Sequence, residues 1–423
     1  MDFRALPSGD LTLTNLTAPG CLTGSDKALE SITLSIRARR ITAPAADLPQ
    51  IDMGGAMVFP TFTDMHTHLD KGHIWPRAAN PDGTFDGALA MVEADRDAHW
   101  SGPDVRARMD FGLRCAFAHG TSAMRTHLDS IAPQHRISFP EFTRLREEWA
   151  GRIDLQAACL TLIDRIDPGG GGEFAELADL VAESRGVLGC VPFPDPQLRD
   201  RLRAFFAHAE RRGLDADFHV DETGDPDAAS LRVIAEIALE TGYQGRITVG
   251  HCCSLAVQPD SEWQHTLDLV ARAGIDVVSL PMCNLYLQDR RDGRTPRWRG
   301  VTLVHEMAAR GINVSFASDN TRDPFYAYGD LDMIEVMREA TRIAHLDHSR
   351  ADWVQAFLAN PARACGFAAP SLAPGAPADL VICRARNWTE LFARPQSDRI
   401  VLRDGRQIDR SLPDYAELDH LMS

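Results

Sequence analysis

His66-Thr67-His68 follows the short apolar run Met57-Val58-Phe59 and leads into Leu69-Asp70. Successive side chains on a strand point to opposite faces, so histidines two apart project the same way and can offer two imidazole nitrogens to one cation. In a chain with 15 His such a pair is weak evidence alone. Its weight comes from ligand-type residues at the ends of later β-rich runs. His219 stands in Phe218-His219-Val220-Asp221-Glu222, His251 follows Val249-Gly250, and Asp319 follows Ala317-Ser318. A polar residue capping a strand explains any one of them equally well, but not the agreement of all four ends.

Imidazoles from His66, His68 and His219 with the Asp319 carboxylate suit one divalent cation and leave room for a water, whose pKa the cation lowers from ~15.7 toward ~7. Zn and Fe both fit this mixed nitrogen and oxygen set. Hydrolysis at a trigonal carbon beside nitrogen also needs a group that moves protons. Glu222 is the candidate general acid and base. His251 is assigned to orienting the attacking oxygen and stabilising the tetrahedral intermediate, with a role as fifth ligand as the alternative. Asp319 can both bind the cation and take the attacking water's proton.

Such residues need a scaffold that gathers strand ends. Short β-rich runs at 57–59, 122–126, 155–160, 186–191, 216–219, 247–250, 275–280 and 312–316 are separated by stretches such as 104–117, 198–211, 228–240, 263–273 and 303–310. Those stretches carry apolar residues at helical spacing. The alternation predicts an α/β protein of parallel βαβ units, a (β/α)8 TIM-like barrel with its chemistry at the C-terminal strand ends. A doubly wound open sheet would carry a Gly-rich phosphate loop after its first strand, where this chain has histidines. The glycines at 169–172 read as a flexible turn. Polar and apolar residues alternate in Leu11-Thr12-Leu13-Thr14 and again in Ala378-Asp379-Leu380-Val381-Ile382. The two ends are therefore expected to form one small β-sandwich domain, residues 1–57 and 369–423, around a hydrolase barrel of 58–368.

A net charge of -16 argues against nucleic acid or an anionic membrane surface as partner and favours a small neutral or cationic ligand. No apolar run approaches the ~20 residues of a membrane span and no basic-then-apolar leader opens the chain, so a cytoplasmic protein is expected. Nine Cys without a Cys-x-x-Cys spacing read as free buried thiols.

Taken in order, His66-Thr67-His68-Leu69-Asp70, Arg125-Thr126-His127-Leu128-Asp129, His219-Val220-Asp221-Glu222, Gly250-His251, Asn284-Leu285-Tyr286-Leu287-Gln288 and Ser318-Asp319-Asn320-Thr321-Arg322-Asp323-Pro324-Phe325 resemble the amidohydrolase superfamily, in particular its bacterial cytosine deaminase branch. The resemblance runs through nearly the whole chain. It implies one cation on His66, His68, His219 and Asp319, Glu222 and His251 in the roles above, a β-sandwich from both termini, and a homo-oligomer. Departures fall where substrate is chosen. Leu162 stands where a Gln reads the pyrimidine edge, Asn320 where a second Asp follows the metal Asp, Phe325 in place of a Trp, and Lys71 in place of a small polar residue. These four and Gln288 are the candidate substrate contacts. Superfamily members with two metals bridge them through a carboxylated Lys ending the fourth strand. Here that strand runs Gly189-Cys190-Val191-Pro192-Phe193, and Lys27 and Lys71, the two lysines of the chain, lie elsewhere.

The expected activity is hydrolytic deamination of a small, cytosine-like nitrogen heterocycle with release of ammonia. Removal of an alkylamine from a triazine-like ring, or opening of a cyclic amide, is the alternative on the same centre. A non-catalytic binding barrel is a third reading, against which Glu222 speaks, since binding needs no proton shuttle. Among the remaining residues, Arg125 is expected to be structural and His127 to face the pocket. The loop 288–299 reads as solvated and ion-paired, and Trp75 and Phe85 as parts of a lid.

Overall fold

Residues 57–67 are apolar or buried-compatible almost throughout, and the way the chain divides them sets the architecture. The computed structural model describes residues 2–349, 352–395 and 398–422. Strands β1 (Leu11–Pro19), β2 (Leu29–Arg37), β3 (Arg40–Thr42), β4 (Gln50–Asp52) and β5 (Met57–Pro60) come first. Then follow β6 (Phe62–Thr67), β7 (Thr121–Asp129), β8 (Asp154–Leu160), β9 (Leu188–Cys190), β10 (Ala216–Val220), β11 (Ile247–His251), β12 (Asp276–Ser279) and β13 (Val314–Phe316). The chain ends with β14 (Leu380–Cys383), β15 (Arg399–Arg403) and β16 (Arg406–Gln407).

The expected first strand of the parallel set is displaced. β5 does not lead directly into the histidines; it pairs antiparallel with β14, Phe59 opposite Val381, inside an eight-stranded sheet ordered β16-β15-β14-β5-β1-β2-β3, with β4 on β1. Both ends of the chain thus share one sheet. Alternation explains why β5 belongs there. Val58, Leu380 and Ile382 face the core of the terminal sheet, while Met57, Phe59, Val381 and Cys383 face the larger core beneath it. A strand apolar on both faces carries no signal for which neighbour it will pair with, and the chain turns at Pro60-Thr61 before β6 starts.

From β6 to β13 every pairing is parallel. Two sheets result, β6-β7-β8 and β13-β12-β11-β10-β9, and isolated parallel bridges join their margins at Thr67 with Asp319, Ala158 with Val187 and Leu162 with Val191. Helices run between the strands. In Leu198–Arg212, Leu198, Leu202, Phe205, Phe206 and Ala209 make the buried stripe, three and four residues apart, and charged residues fill the other face. The protein is therefore a mixed α/β fold built on parallel sheets. All nine cysteines are free, and all but Cys21 are buried. Among the described residues no helix is long and apolar enough to cross a membrane.

Candidate active site at the strand ends

β6 delivers the first two ligand-type residues. Asp64, His66 and His68 alternate onto one face, and both rings are buried. β10 brings His219, and the bend after β13 brings Asp319, whose backbone N–H bonds the His66 carbonyl at 2.9 Å. His219 Nε2 lies 3.1 Å from His66 Nε2 and 3.2 Å from His68 Nε2. Asp319 Oδ1 lies 3.6 Å from His66 Nε2 and 3.3 Å from His68 Nε2. Sequence position alone singled out these four residues, and the fold gathers them at one point.

The cluster fits a cation better than it fits itself. Burial, then the neighbouring imidazoles and, for His68 and His219, the Lys71 charge, holds His66, His68 and His219 well below the usual imidazole value, so the rings are neutral. A neutral ring has one N–H, and three Nε2 atoms turned on each other cannot all be satisfied among themselves. Both Asp319 carboxylate oxygens are buried without a hydrogen-bond partner, and burial pushes that carboxyl up to about 7. Four donors around a cation at roughly 2.1 Å stand about 3 to 3.5 Å apart, close to the 3.1 to 3.6 Å of the four pairs above.

Local backbone is bent to achieve this. His251 and Asp319 have φ of 70° and 65°, a left-handed conformation that costs roughly 1–3 kcal/mol at a non-glycine residue. Gly250 has a steric reason, because a Cβ there would stand 2.9 Å from the His66 ring.

Glu222 lies just past β10. Burial, then the Asp319 charge, lifts its carboxyl well above the ordinary glutamate value. Asn284, on the helix Pro281–Leu287, donates its amide to Glu222 Oε1 at 2.9 Å and lies 2.9 Å from His251 Nδ1. With the amide nitrogen assigned to that side, His251 Nδ1 accepts and the ring proton sits on Nε2. Burial keeps this ring neutral, its pKa lowered to about 3.

Sequence reasoning missed three supporting residues. Asp64 accepts from the Ser318 backbone N–H at 3.1 Å and from its hydroxyl, fixing the residue before Asp319. Asn284 was quoted only as part of a motif. Asp217 binds His127 Nε2 at 2.9 Å and Arg125 at 2.7 Å, which makes Arg125 a buried structural cation and sets the His127 ring 4.1 Å from that of His66. A signal for His127 was present. Thr67-His68-Leu69-Asp70 recurs as Thr126-His127-Leu128-Asp129, and the two Thr pair in register on neighbouring strands.

Above the cluster opens a cavity of about 380 Å³, whose lining includes His68, His219, Glu222 and His251. Lys71, Leu162, Asn320 and Phe325 also line it. Gln288 does not; its amide donates to the Glu222 carbonyl at 3.1 Å and so braces the loop carrying that residue. Phe85, Leu89, Val92, Glu93 and Arg96 on the helix Phe85–His99 form one wall. Phe85 meets Phe325 edge-on at 5.4 Å, whereas Trp75 is absent from the lining. Asp289 collects Arg294 and the N–H groups of Arg297 and Trp298, so the 288–299 loop is tied to itself.

Residues 160–409 match the amidohydrolase family. A pterin deaminase of Rhizobium rhizogenes (strain K84) is 56% identical over 380 residues, 89% of this chain and 86% of that protein. This chain belongs to the amidohydrolase family. Among solved structures, it is similar to 5-methylcytosine deaminase from Klebsiella pneumoniae bound to 5-fluorocytosine, with a TM-score of 0.78 at 26% identity, covering 96% of this chain and 98% of that one. It is also similar to N-isopropylammelide isopropylaminohydrolase from Burkholderia multivorans ATCC 17616, with a TM-score of 0.74 at 26% identity over 94% and 98% of the two chains. As an amidohydrolase it is a hydrolase of carbon–nitrogen bonds, with a histidine-rich site suited to a divalent metal.

Proposed function

We propose that the protein is a metal-dependent deaminase that hydrolyses the exocyclic amine of a pterin-like fused heterocycle and releases ammonia. The reaction rests on one observation: Glu222, its carboxyl raised by burial and gripped by Asn284, stands beside His251 at the edge of the ligand cluster. The substrate class is supported by the 56% identity with a pterin deaminase. It is supported also by a cavity of about 380 Å³, within the ~300–1,000 Å³ usual for small-ligand sites. Phe85, Val92, Ile131, Leu162, Phe193 and Phe325 give it apolar walls. The single cytosine-like ring expected from the sequence is thereby extended to two fused rings. The two parallel sheets, bridged at both margins, are taken to close as one (β/α)8 barrel.

His66, His68, His219 and Asp319 would hold a single Zn or Fe ion, which when bound supplies the Lewis acidity that brings the pKa of water toward ~7. The side chains account for the rest. Glu222, its carboxyl raised by burial, delivers a proton to the ring nitrogen beside the carbon under attack, relays one proton lost by water to the departing amine, and takes back the other as the oxo group forms. Asn284 holds the carboxyl in place for both transfers. His251 Nε2–H donates to the oxygen that gains negative charge, a role its Nδ1 acceptor bond to Asn284 favours over ligation. Heterocyclic amine and water become the oxo heterocycle and ammonia.

The test is ammonia release by metal-loaded protein, with metal content measured, across pterin, cytosine, adenine and an aminotriazine. Pterin is expected to turn over fastest, with about one metal per chain. Metal-replete protein inert on pterin, or faster on cytosine, would overturn the reading.

A further inference from the structure

Lys71 is one of two lysines in the chain and is only 5% exposed. A buried ammonium is costly unless its donors are matched. Its Nζ lies 2.9 Å from Asp129 Oδ1 and 5.3 Å from the centroid of the Phe325 ring, and all three residues line the cavity shared with Glu222. An ammonium has three N–H donors, and Asp129 takes one. The other Asp129 oxygen faces Arg96 at 3.5 Å, so two cations share that carboxylate. The Lys71 charge also bears on His68, His219, Asp319 and Glu222, which places it on the reacting side. Leu162, also in the lining, offers no polar side-chain atom to a substrate.

We propose that Lys71 is a specificity-determining residue: its remaining N–H groups donate to an oxo oxygen of the substrate ring, so the enzyme selects a ring carrying a carbonyl over one carrying an amine at that place. This rests on the deaminase reading above. Asp129 is the positioning residue that holds the ammonium, and Arg96 steadies Asp129. An amine in place of the carbonyl would set N–H against N–H and leave buried N–H donors without an acceptor, which is how sites built for one hydrogen bond reject analogues. A purely structural counter-ion to Asp70, Asp129 and Asp323 would affect stability without affecting ring preference.

The experiment compares kcat and KM on 2-amino-4-oxopteridine and 2,4-diaminopteridine for the metal-loaded wild type, for Lys71→Met, and for Lys71→Met/Asp129→Leu, which removes both charges should the single variant fold poorly. The wild type is expected to prefer the oxo ring by roughly 100-fold or more in kcat/KM. In Lys71→Met that preference should shrink to within roughly tenfold, through a raised KM for the oxo ring and with metal content unchanged. If the wild type shows no preference, or both variants retain it, the Lys71 assignment falls while the deaminase reading stands. If the wild type turns over neither pteridine, the deaminase reading falls and Lys71 with it.

Discussion

Beneath the cavity, as a floor of which His68 and His219 reach the lining, His66, His68, His219 and Asp319 sit on or beside strands, tied by backbone bonds such as Asp319 N–H to the His66 carbonyl. Along its wall, Phe85, Leu89, Val92 and Arg96 come from the helix Phe85–His99, and Leu162 and Phe325 from segments outside the strands. The floor is over-determined, since moving one of these residues means breaking a strand pairing. The wall can change side chain by side chain without disturbing the floor. One scaffold can therefore keep its hydrolytic chemistry while its relatives differ in the rings they take.

The widest gap between floor and wall should appear with His219→Ala. Loss of most bound metal and of all activity is expected, read by elemental analysis and ammonia release, whereas wall variants such as Leu162→Ala should keep their metal. Glu222→Gln separates chemistry from binding at the floor itself: metal retained, kcat down roughly 10²- to 10⁴-fold, and full activity would remove Glu222 from its role. Asp64→Asn asks whether the floor depends on its support. Weakening the hold on Ser318 should cost roughly 10- to 100-fold in metal affinity, measured by competition with a chelator.

Asp332→Asn belongs to neither region and should change turnover least. Asp332 pairs with Arg399 of the terminal sheet and caps the helix Met333–Ala344. Burial works to raise its carboxyl, but Arg399 and then His119 pull it well below the ordinary value of 3.8. A depressed folded-state pKa means that the pair stabilises the fold above about pH 4. That contribution drains away as pH falls further. The Tm gap between wild type and Asp332→Asn should therefore be full at pH 7, worth about 3–5 kcal/mol, and shrink progressively below pH 4. A gap independent of pH would show that the ion pair is not its source.

The floor was largely legible because strand alternation dictates which side chains share a face, and the His66–His68 pair gains weight from ligand-type residues at the ends of later runs. Other parts were not. The run 57–59 reads as the strand that leads to the histidines, and only pairing with β14 shows that β5 and β6 serve different sheets. Gln288 and Asn284 belong to one helical stretch and its end, yet one grips a carbonyl and the other a carboxylate, a division decided by where Glu222 arrives from another strand.

By itself the chain determined the ligand types, their facing and the α/β alternation, because these follow from local periodicity and residue chemistry. Which polar groups are paired and which are left facing the cavity was decided by the tertiary structure alone. Asp64 meets Ser318 across 254 positions, and Lys71 meets Asp129 on a neighbouring strand end. Periodicity sets the direction in which a side chain points; packing of distant segments sets what it finds there.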